Sequence, residues 1–260
     1  MKNSVKPKKN LGQHFLTDMQ IAFDIAATVD ACRGIPVLEV GPGTGVLTQF
    51  LLQKERPLQV VELDQESVLY LKANFPDLHG KIIEGDFLKL DLAQVFNGSP
   101  FVLTGNYPYN ISSQIFFKML DNKDLIPCCT GMVQREVARR ITAGPGNKDY
   151  GILTVFIQLW YDTEYLFTVN ENVFNPPPKV KSAVIRLSRN NRDSLGCNYS
   201  LFKKIVKGTF AQRRKMLRNS IKSVFGTDFE LPPAATWLEK RPEQLSIQDF
   251  IDLTIELERK

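Results

Sequence analysis

The chain has 260 residues, 43% hydrophobic and 23% charged, which are globular proportions that exclude a disordered or fibrous protein. Its four cysteines (Cys32, Cys128, Cys129, Cys197) lack CxxC or Cys/His spacing and only two histidines are present, so no metal site is expected and the thiols fit a reducing cytoplasm. Net charge is +5 but unevenly spread, the apolar runs fall short of the roughly 18 residues a membrane span needs, and the basic N-terminal segment lacks the apolar stretch of a secretory signal.

A basic arm (Lys2, Lys6, Lys8, Lys9) comes first. From Gly34 to about Arg189, short apolar runs alternate with longer helical patterns, which predicts βαβ units and a parallel sheet. Strands are predicted over residues 36–40, 58–63, 81–83, 101–104 and 129–133, with helical period over 46–54, 65–74 and 112–120. Residues 161–169 and 181–187 have no helix of normal length between them and predict an antiparallel pair at the sheet edge. The intervening Phe174-Asn175-Pro176-Pro177-Pro178-Lys179 is expected to be a stiff loop, because proline lacks the amide donor. Residues 190–199 turn polar and mark a boundary between a domain of residues 1–190 and a small helical domain of residues 191–260. In the latter, Phe202, Val206, Phe210, Leu217 and Ile221 keep helical spacing, and residues 246–258 read as another helix capped by Ser246 with Asp249 in its first turn. Trp160 and Trp237 are expected in the core.

The sharpest local signal is Glu39-Val40-Gly41-Pro42-Gly43-Thr44-Gly45, between a strand and a helix. Glycines there let the backbone turn tightly and approach a ligand closely. The GxGxG spacing is neither the GxGxxG of a nicotinamide dehydrogenase nor a P-loop, so a nucleoside-like ligand without phosphate, such as S-adenosylmethionine, fits better than a dinucleotide. Val61-Glu62-Leu63-Asp64 ends the second strand about 20 residues later, where dinucleotide folds place a ribose-binding acid. In Glu84-Gly85-Asp86-Phe87, Asp86 is placed to accept from an adenine amine, with Phe87 flanking the ring. Gly105-Asn106-Tyr107-Pro108-Tyr109-Asn110 ends the fourth strand; the Asn106 side chain and the Pro108 carbonyl offer two acceptors for an exocyclic amine, and Tyr109 a stacking surface. Taken alone, that segment reads equally well as a plain turn with aromatics packed inward.

These motifs, with LGQHFLTD at Leu11–Asp18, QREVARRI at Gln134–Ile141, FNPPPKVKSAV at Phe174–Val184 and FAQRRKMLRNS at Phe210–Ser220, resemble the ribosomal RNA adenine dimethyltransferase family over nearly the whole chain, most closely its bacterial small-subunit branch. The resemblance implies a Rossmann-like S-adenosylmethionine-dependent methyltransferase fold, a mostly parallel seven-stranded sheet with helices on both faces, plus a C-terminal helical domain that binds RNA. It implies dimethylation at N6 of two adjacent adenosines in the 3′-terminal hairpin loop of 16S rRNA, by a cytoplasmic monomer with a role in small-subunit biogenesis. It also implies that His14 and Leu16 are cofactor-lid contacts, that Gly41 approaches the methionine part, with Gly43 in the same turn, that Glu62 holds the ribose and Asp86 the adenine, and that Asn106 binds both cofactor and target amine. Tyr109 and Phe174 resemble the pair that sandwiches the flipped adenine. Tyr107 departs from the commoner Leu and is expected to point away from the amine.

Lys203, Lys204, Lys207, Arg213, Arg214, Lys215, Arg218 and Lys222 lie in one stretch without an acid, and with the N-terminal arm they read as a phosphate footprint rather than two solvated faces. The Gln134–Arg140 stretch serves equally as a structural ion pair, through Glu136. The rival readings are a large-subunit (23S) dimethyltransferase of the antibiotic-resistance type and a non-catalytic assembly factor with the same fold.

Overall fold

The computed structural model describes residues 5–230 and 236–259, so Lys2 of the basic arm lies outside the described residues. Two compact units emerge, one from the chain up to Ala138 with Asp162–Arg189, the other from Arg139–Tyr161 with the chain from Asn190 onward.

The first unit contains, in order, β1 (Phe15–Leu16), α1 (Met19–Thr28), β2 (Val37–Val40), α2 (Thr48–Leu51), β3 (Leu58–Glu62), α3 (Gln65–Asn74), β4 (Ile82–Glu84), α4 (Leu92–Val95), β5 (Val102–Thr104), α5 (Ser112–Asp121), β6 (Cys128–Gln134), β7 (Tyr161–Val169), β8 (Phe174–Asn175) and β9 (Ser182–Arg189). Seven strands form one sheet in the order β4-β3-β2-β5-β6-β9-β7. The first five run parallel, and β9 returns antiparallel to β6. Every residue of β2 is buried, as expected of a strand covered on both faces, and Glu39 is its one polar member. Strands β2, β3, β4 and β5 end at Val40, Glu62, Glu84 and Thr104, so the loops that follow gather beyond the carboxyl ends of the parallel strands, where α/β folds bind ligands.

Three local differences from the sequence-based expectation have physical causes. The helix expected over 46–54 shrinks to α2, because the glycine turn runs on through residues 43–47 and Gly45 donates to the Pro42 carbonyl at 2.9 Å. An unexpected helix, α1, starts where the Asp18 carboxylate accepts the Gln20 and Ile21 amides at 2.9 and 3.1 Å, an N-cap. In the proline segment, Phe174 and Asn175 form a short antiparallel pair with β1, opposite Leu16 and Phe15, and only the rest is loop. Strands β7 and β9 are neighbours at the sheet edge.

The second unit holds the C-terminal half of α6 (Arg135–Thr142), then α7 (Ile152–Gln158), α8 (Tyr199–Phe210), α9 (Leu217–Phe225) and α10 (Ile247–Glu258). A single boundary near residue 190 is therefore too simple, since Arg139–Tyr161 packs with the helices that follow. Within this unit the Gln158 amide donates to the Ile141 and Ala143 carbonyls at 2.9 Å, and the Thr154 hydroxyl to Arg140, so α6 and α7 are tied to each other. Phe202, Phe210 and Phe250 meet with ring centroids 5.9–6.4 Å apart, within the range of favourable aromatic pairs. The pattern over residues 201–225 is two helices, broken over residues 211–216. Ser246 and Asp249 form a capping box at the start of α10, and both tryptophans are buried.

Candidate active site

Beyond the ends of β2, β3 and β5 lies a small cleft with two lobes that share Phe15, Gly41, Gly43 and Asn106. One is lined by residues 12–15 of the arm, Gly41, Gly43, Glu62 and residues 106–109; the other by Glu39, the glycine turn, Phe15, Leu16 and Asn106. Gly41 and Gly43 adopt φ of +67° and +58°, a region side chains disfavour. A Cβ on Gly43 would stand 2.8 Å from the Phe15 ring, whereas one on Gly41 would meet only the Pro108 ring, at 3.7 Å. Gly41 thus leaves the floor of the cleft open.

Glu62, 5% exposed, accepts the Gly43 amide at 3.0 Å on one oxygen and the Asp64 amide at 2.8 Å on the other. Burial pushes its carboxyl above the usual range, and these two amides oppose that shift. A carboxylate has about four lone-pair sites, so two remain for the hydroxyls of a ribose. Asp64, also buried, accepts from Lys8, Ser67 and Gln13; although burial pushes its carboxyl up, these donors hold it below its ordinary value. The same contact raises the Lys8 ammonium. Glu39 is 1% exposed and accepts the Thr48 hydroxyl at 2.7 Å; burial, reinforced by the charge of Glu62, pushes its carboxyl up to about 8.

Asp86 follows β4, and its Oδ1 accepts the Leu88 amide at 2.9 Å, leaving Oδ2 to receive another donor. The Phe87 ring is 4% exposed and carries the Lys118 ammonium 5.7 Å from its centroid, so it lies in the core rather than open beside a ligand. Neither residue lines the two lobes.

The Asn106 side chain donates to the His14 carbonyl at 3.0 Å, which leaves its amide oxygen as an acceptor in both lobes. The loop is held by backbone bonds between Tyr107 and Met132 and between Met132 and Gly105, each 3.0 Å. Tyr107 points into the core and donates to the Thr130 carbonyl at 2.9 Å, so the departure at this position is absorbed away from the cleft. The Pro108 carbonyl accepts the Ile111 amide at 3.2 Å and keeps one lone pair. Tyr109 is bonded through its hydroxyl to Ser182, and its ring stacks on His14 at 5.4 Å and 27°. His14 in turn donates from Nδ1 to the Pro176 carbonyl at 2.8 Å.

Most of the predicted cleft residues therefore converge, but Phe174 does not join Tyr109. The pairing of β8 with β1 sets Phe174 opposite Leu16 and turns its ring into the apolar core, where it is 4% exposed. His14 takes the place facing Tyr109. Sequence reasoning also missed Ser182, Lys8, Gln13 and Phe15 as members or supports of the cleft; for Ser182 the only signal was its place in the KSAV segment.

In the second unit the eight cations divide. Arg218 pairs with Glu239 at 2.7 Å and Arg213 approaches Glu243 at 3.8 Å, so acids from outside the stretch neutralise two of them. Lys203 and Lys204 sit over the rings of Tyr199 and Phe225 at 4.6 and 4.5 Å. Lys207, Arg214, Lys215 and Lys222 are exposed and have no acidic partner among the described residues. Also among the described residues, no helix is long and apolar enough to cross a membrane, and no cluster of His, Cys, Asp or Glu is arranged to hold a metal ion.

A family model described as ribosomal RNA adenine dimethylase matches residues 4–258. The chain belongs to that family. Among curated relatives, the ribosomal RNA small subunit methyltransferase A of Phocaeicola vulgatus is 69% identical over 98% of this chain and 90% of its own length. A dimethyladenosine transferase from Plasmodium falciparum superposes with a TM-score of 0.78 at 26% identity, covering 95% of this chain and 98% of that one. The 23S rRNA methyltransferase ErmE gives 0.67, also at 26% identity, covering 93% and 99%. The fold is that of a Rossmann-like S-adenosylmethionine-dependent methyltransferase, and S-adenosylmethionine is the cofactor of this family. The residues present fit that group: an open glycine floor, a ribose-ready pair of sites on Glu62 and a free oxygen on Asn106.

Proposed function

We propose that the protein dimethylates N6 of two adjacent adenosines in the 3′-terminal hairpin loop of small-subunit (16S) rRNA, acting in the cytoplasm as a monomer during subunit biogenesis. The observation that carries this reading is the Asn106 amide, which spends its NH2 on the His14 carbonyl and keeps its oxygen for a ligand in the cleft. The 69% identity to a relative named for the small subunit favours that branch over the large-subunit one.

S-adenosylmethionine, when bound, supplies an electrophilic methyl on a sulfonium. Gly41 leaves room for it, Glu62 accepts its ribose hydroxyls and Asp86 its adenine amine. The target adenine amine is a poor nucleophile because its lone pair is delocalised into the ring. The Asn106 oxygen and the remaining lone pair of the Pro108 carbonyl accept its two N–H bonds and draw that lone pair out of conjugation. Positioning of this kind is worth about 7–11 kcal/mol of barrier. The methylated nitrogen then carries the positive charge and releases one N–H proton to the accepting carbonyl or to water, so no dedicated histidine base is needed. Everting the base costs roughly a few kcal/mol, which stacking on Tyr109 offsets. Phe174 completes a sandwich only if its ring leaves the core. Lys207, Arg214, Lys215 and Lys222 supply the phosphate contacts, with Lys203 and Lys204 beside them.

The test is incubation with labelled S-adenosylmethionine and unmodified small ribosomal subunits, with large subunits as control. Label in two adenines of the small-subunit RNA is expected. Label in large-subunit RNA alone would assign the protein to the other branch, and label in neither would make it a binding factor.

A further inference from the structure

Glu39 lines the second lobe of the cleft yet has no part in the chemistry described above. It is almost wholly buried, and its partner is the Thr48 hydroxyl on α2. On β3 the residue in register with it is the apolar Val60; the charge of Glu62, at the end of that strand, acts on it, and Asp64 just beyond is already matched by Lys8. On β5 the residue in register with it is Thr104, whose buried hydroxyl has no partner, a second donor in reserve for an ionised carboxylate. Ile25 of α1, Phe15 and Leu16 of the arm, and Val46 and Leu47 after the glycine turn make most of the remaining side-chain wall of this lobe apolar, and the polar residues among the rest, Thr44 and Asn106, carry no charge. His14 lines the neighbouring lobe with its Nδ1 committed to Pro176, and among the described residues no lysine or arginine lines either lobe. A site built in this way holds two acids and no matching cation of its own.

We propose that Glu39 senses the charge of the bound ligand, releasing its proton to solvent when the sulfonium cation enters the cleft and keeping it when the neutral thioether product occupies the same place. This rests on the methyl-donor reading above. A buried carboxyl stays protonated because water is absent, and a permanent positive charge nearby is what makes ionisation favourable again. Donor and product differ at the reacting sulfur by one unit charge and one methyl, so Glu39 converts that difference into affinity. Binding and proton release are linked reciprocally. Preference for donor over product therefore rises with pH, by about tenfold per pH unit at most, and levels off once the free carboxyl is ionised near pH 8. Since each adenine takes two methyl groups, spent product must be exchanged for donor between rounds, and an ionised Glu39 favours donor over product in that exchange.

The experiment is calorimetric titration of the whole protein with S-adenosylmethionine and with S-adenosylhomocysteine at pH 7, in buffers of different ionisation enthalpy, which counts protons released. Wild type is expected to release more protons with donor than Glu39→Gln does, and the two proteins to agree for the product; protons from the ligand's own amine are common to both and cancel. Thr48→Val, which removes the hydroxyl that favours ionisation, should move the levelling-off to higher pH and serves if Glu39→Gln does not fold. Equal proton release in wild type and Glu39→Gln, with binding intact, would overturn the sensor and leave the methyl-donor reading standing. No binding heat from either ligand to wild type would overturn both.

Discussion

The acids of the cleft and the cations of α8 and α9 are charged groups used in opposite ways. Glu39, Glu62 and Asp64 are at most 5% exposed, and each is held by named donors on neighbouring elements. Lys207, Arg214, Lys215 and Lys222 are exposed, and no acid among the described residues answers them. Away from water, charges are little screened and interact strongly, so the placement of each one matters; in solvent they are screened, and their number and sign matter more. The cleft should therefore fail on loss of one group, and the basic face only on loss of several.

The largest effect expected is from Asn106→Ala, which should lower methyl transfer about 100- to 1000-fold, the range for removing one positioned polar group from an active site. The unfolding midpoint should hardly change, and transfer near the wild-type rate would remove Asn106 from the mechanism. Next, replacing Lys207, Arg214, Lys215 and Lys222 together with Gln should flatten the dependence of log affinity for RNA on log salt by about three units. The pair Arg213 and Arg218, already matched by Glu243 and Glu239, should flatten it by less than about one unit. Equal changes in slope would erase the distinction between paired and unpaired cations. A smaller effect comes from the pH dependence of stability. Burial raises the Glu39 carboxyl to about 8, so between its unfolded value and pH 8 the native state binds the proton more tightly than the unfolded chain does. Its contribution to stability is thus full at low pH and lost as pH rises through that window. Urea titrations at pH 5 and pH 8 should show wild type losing on the order of 3–4 kcal/mol more than Glu39→Gln; parallel losses would place Glu39 in water. The smallest is Ser246→Ala, which breaks the capping box of α10 and should cost about 1 kcal/mol in the same titration, with no effect on methyl transfer.

Much of the cleft was legible because its signals are local. The central strands are covered on both faces and so read as continuous apolar runs, and the glycine turn, Glu62 and Asn106 each sit at a strand end that those runs define. What stayed hidden depends on partners far away in sequence. Glu39 reads as one acid in an apolar strand, and only the fold shows it walled in by Thr48 and Glu62. His14 reaches Tyr109 because the arm pairs with Phe174–Asn175, some 160 residues later, and that same pairing buries Phe174. Arg213 and Arg218 look free within their own stretch because Glu239 and Glu243 follow 21 and 30 positions on. The placement of Arg139–Tyr161 with the second unit rests on bonds such as that from Gln158 to Ile141, which no local composition announces.

The most direct measurement is a crystal structure of the protein soaked with S-adenosylmethionine. The account predicts the ribose hydroxyls on Glu62, the adenine amine at Asp86 and the sulfonium methyl between Gly41 and the Asn106 oxygen. Donor bound elsewhere, or a methyl walled off from residues 106–109, would contradict it.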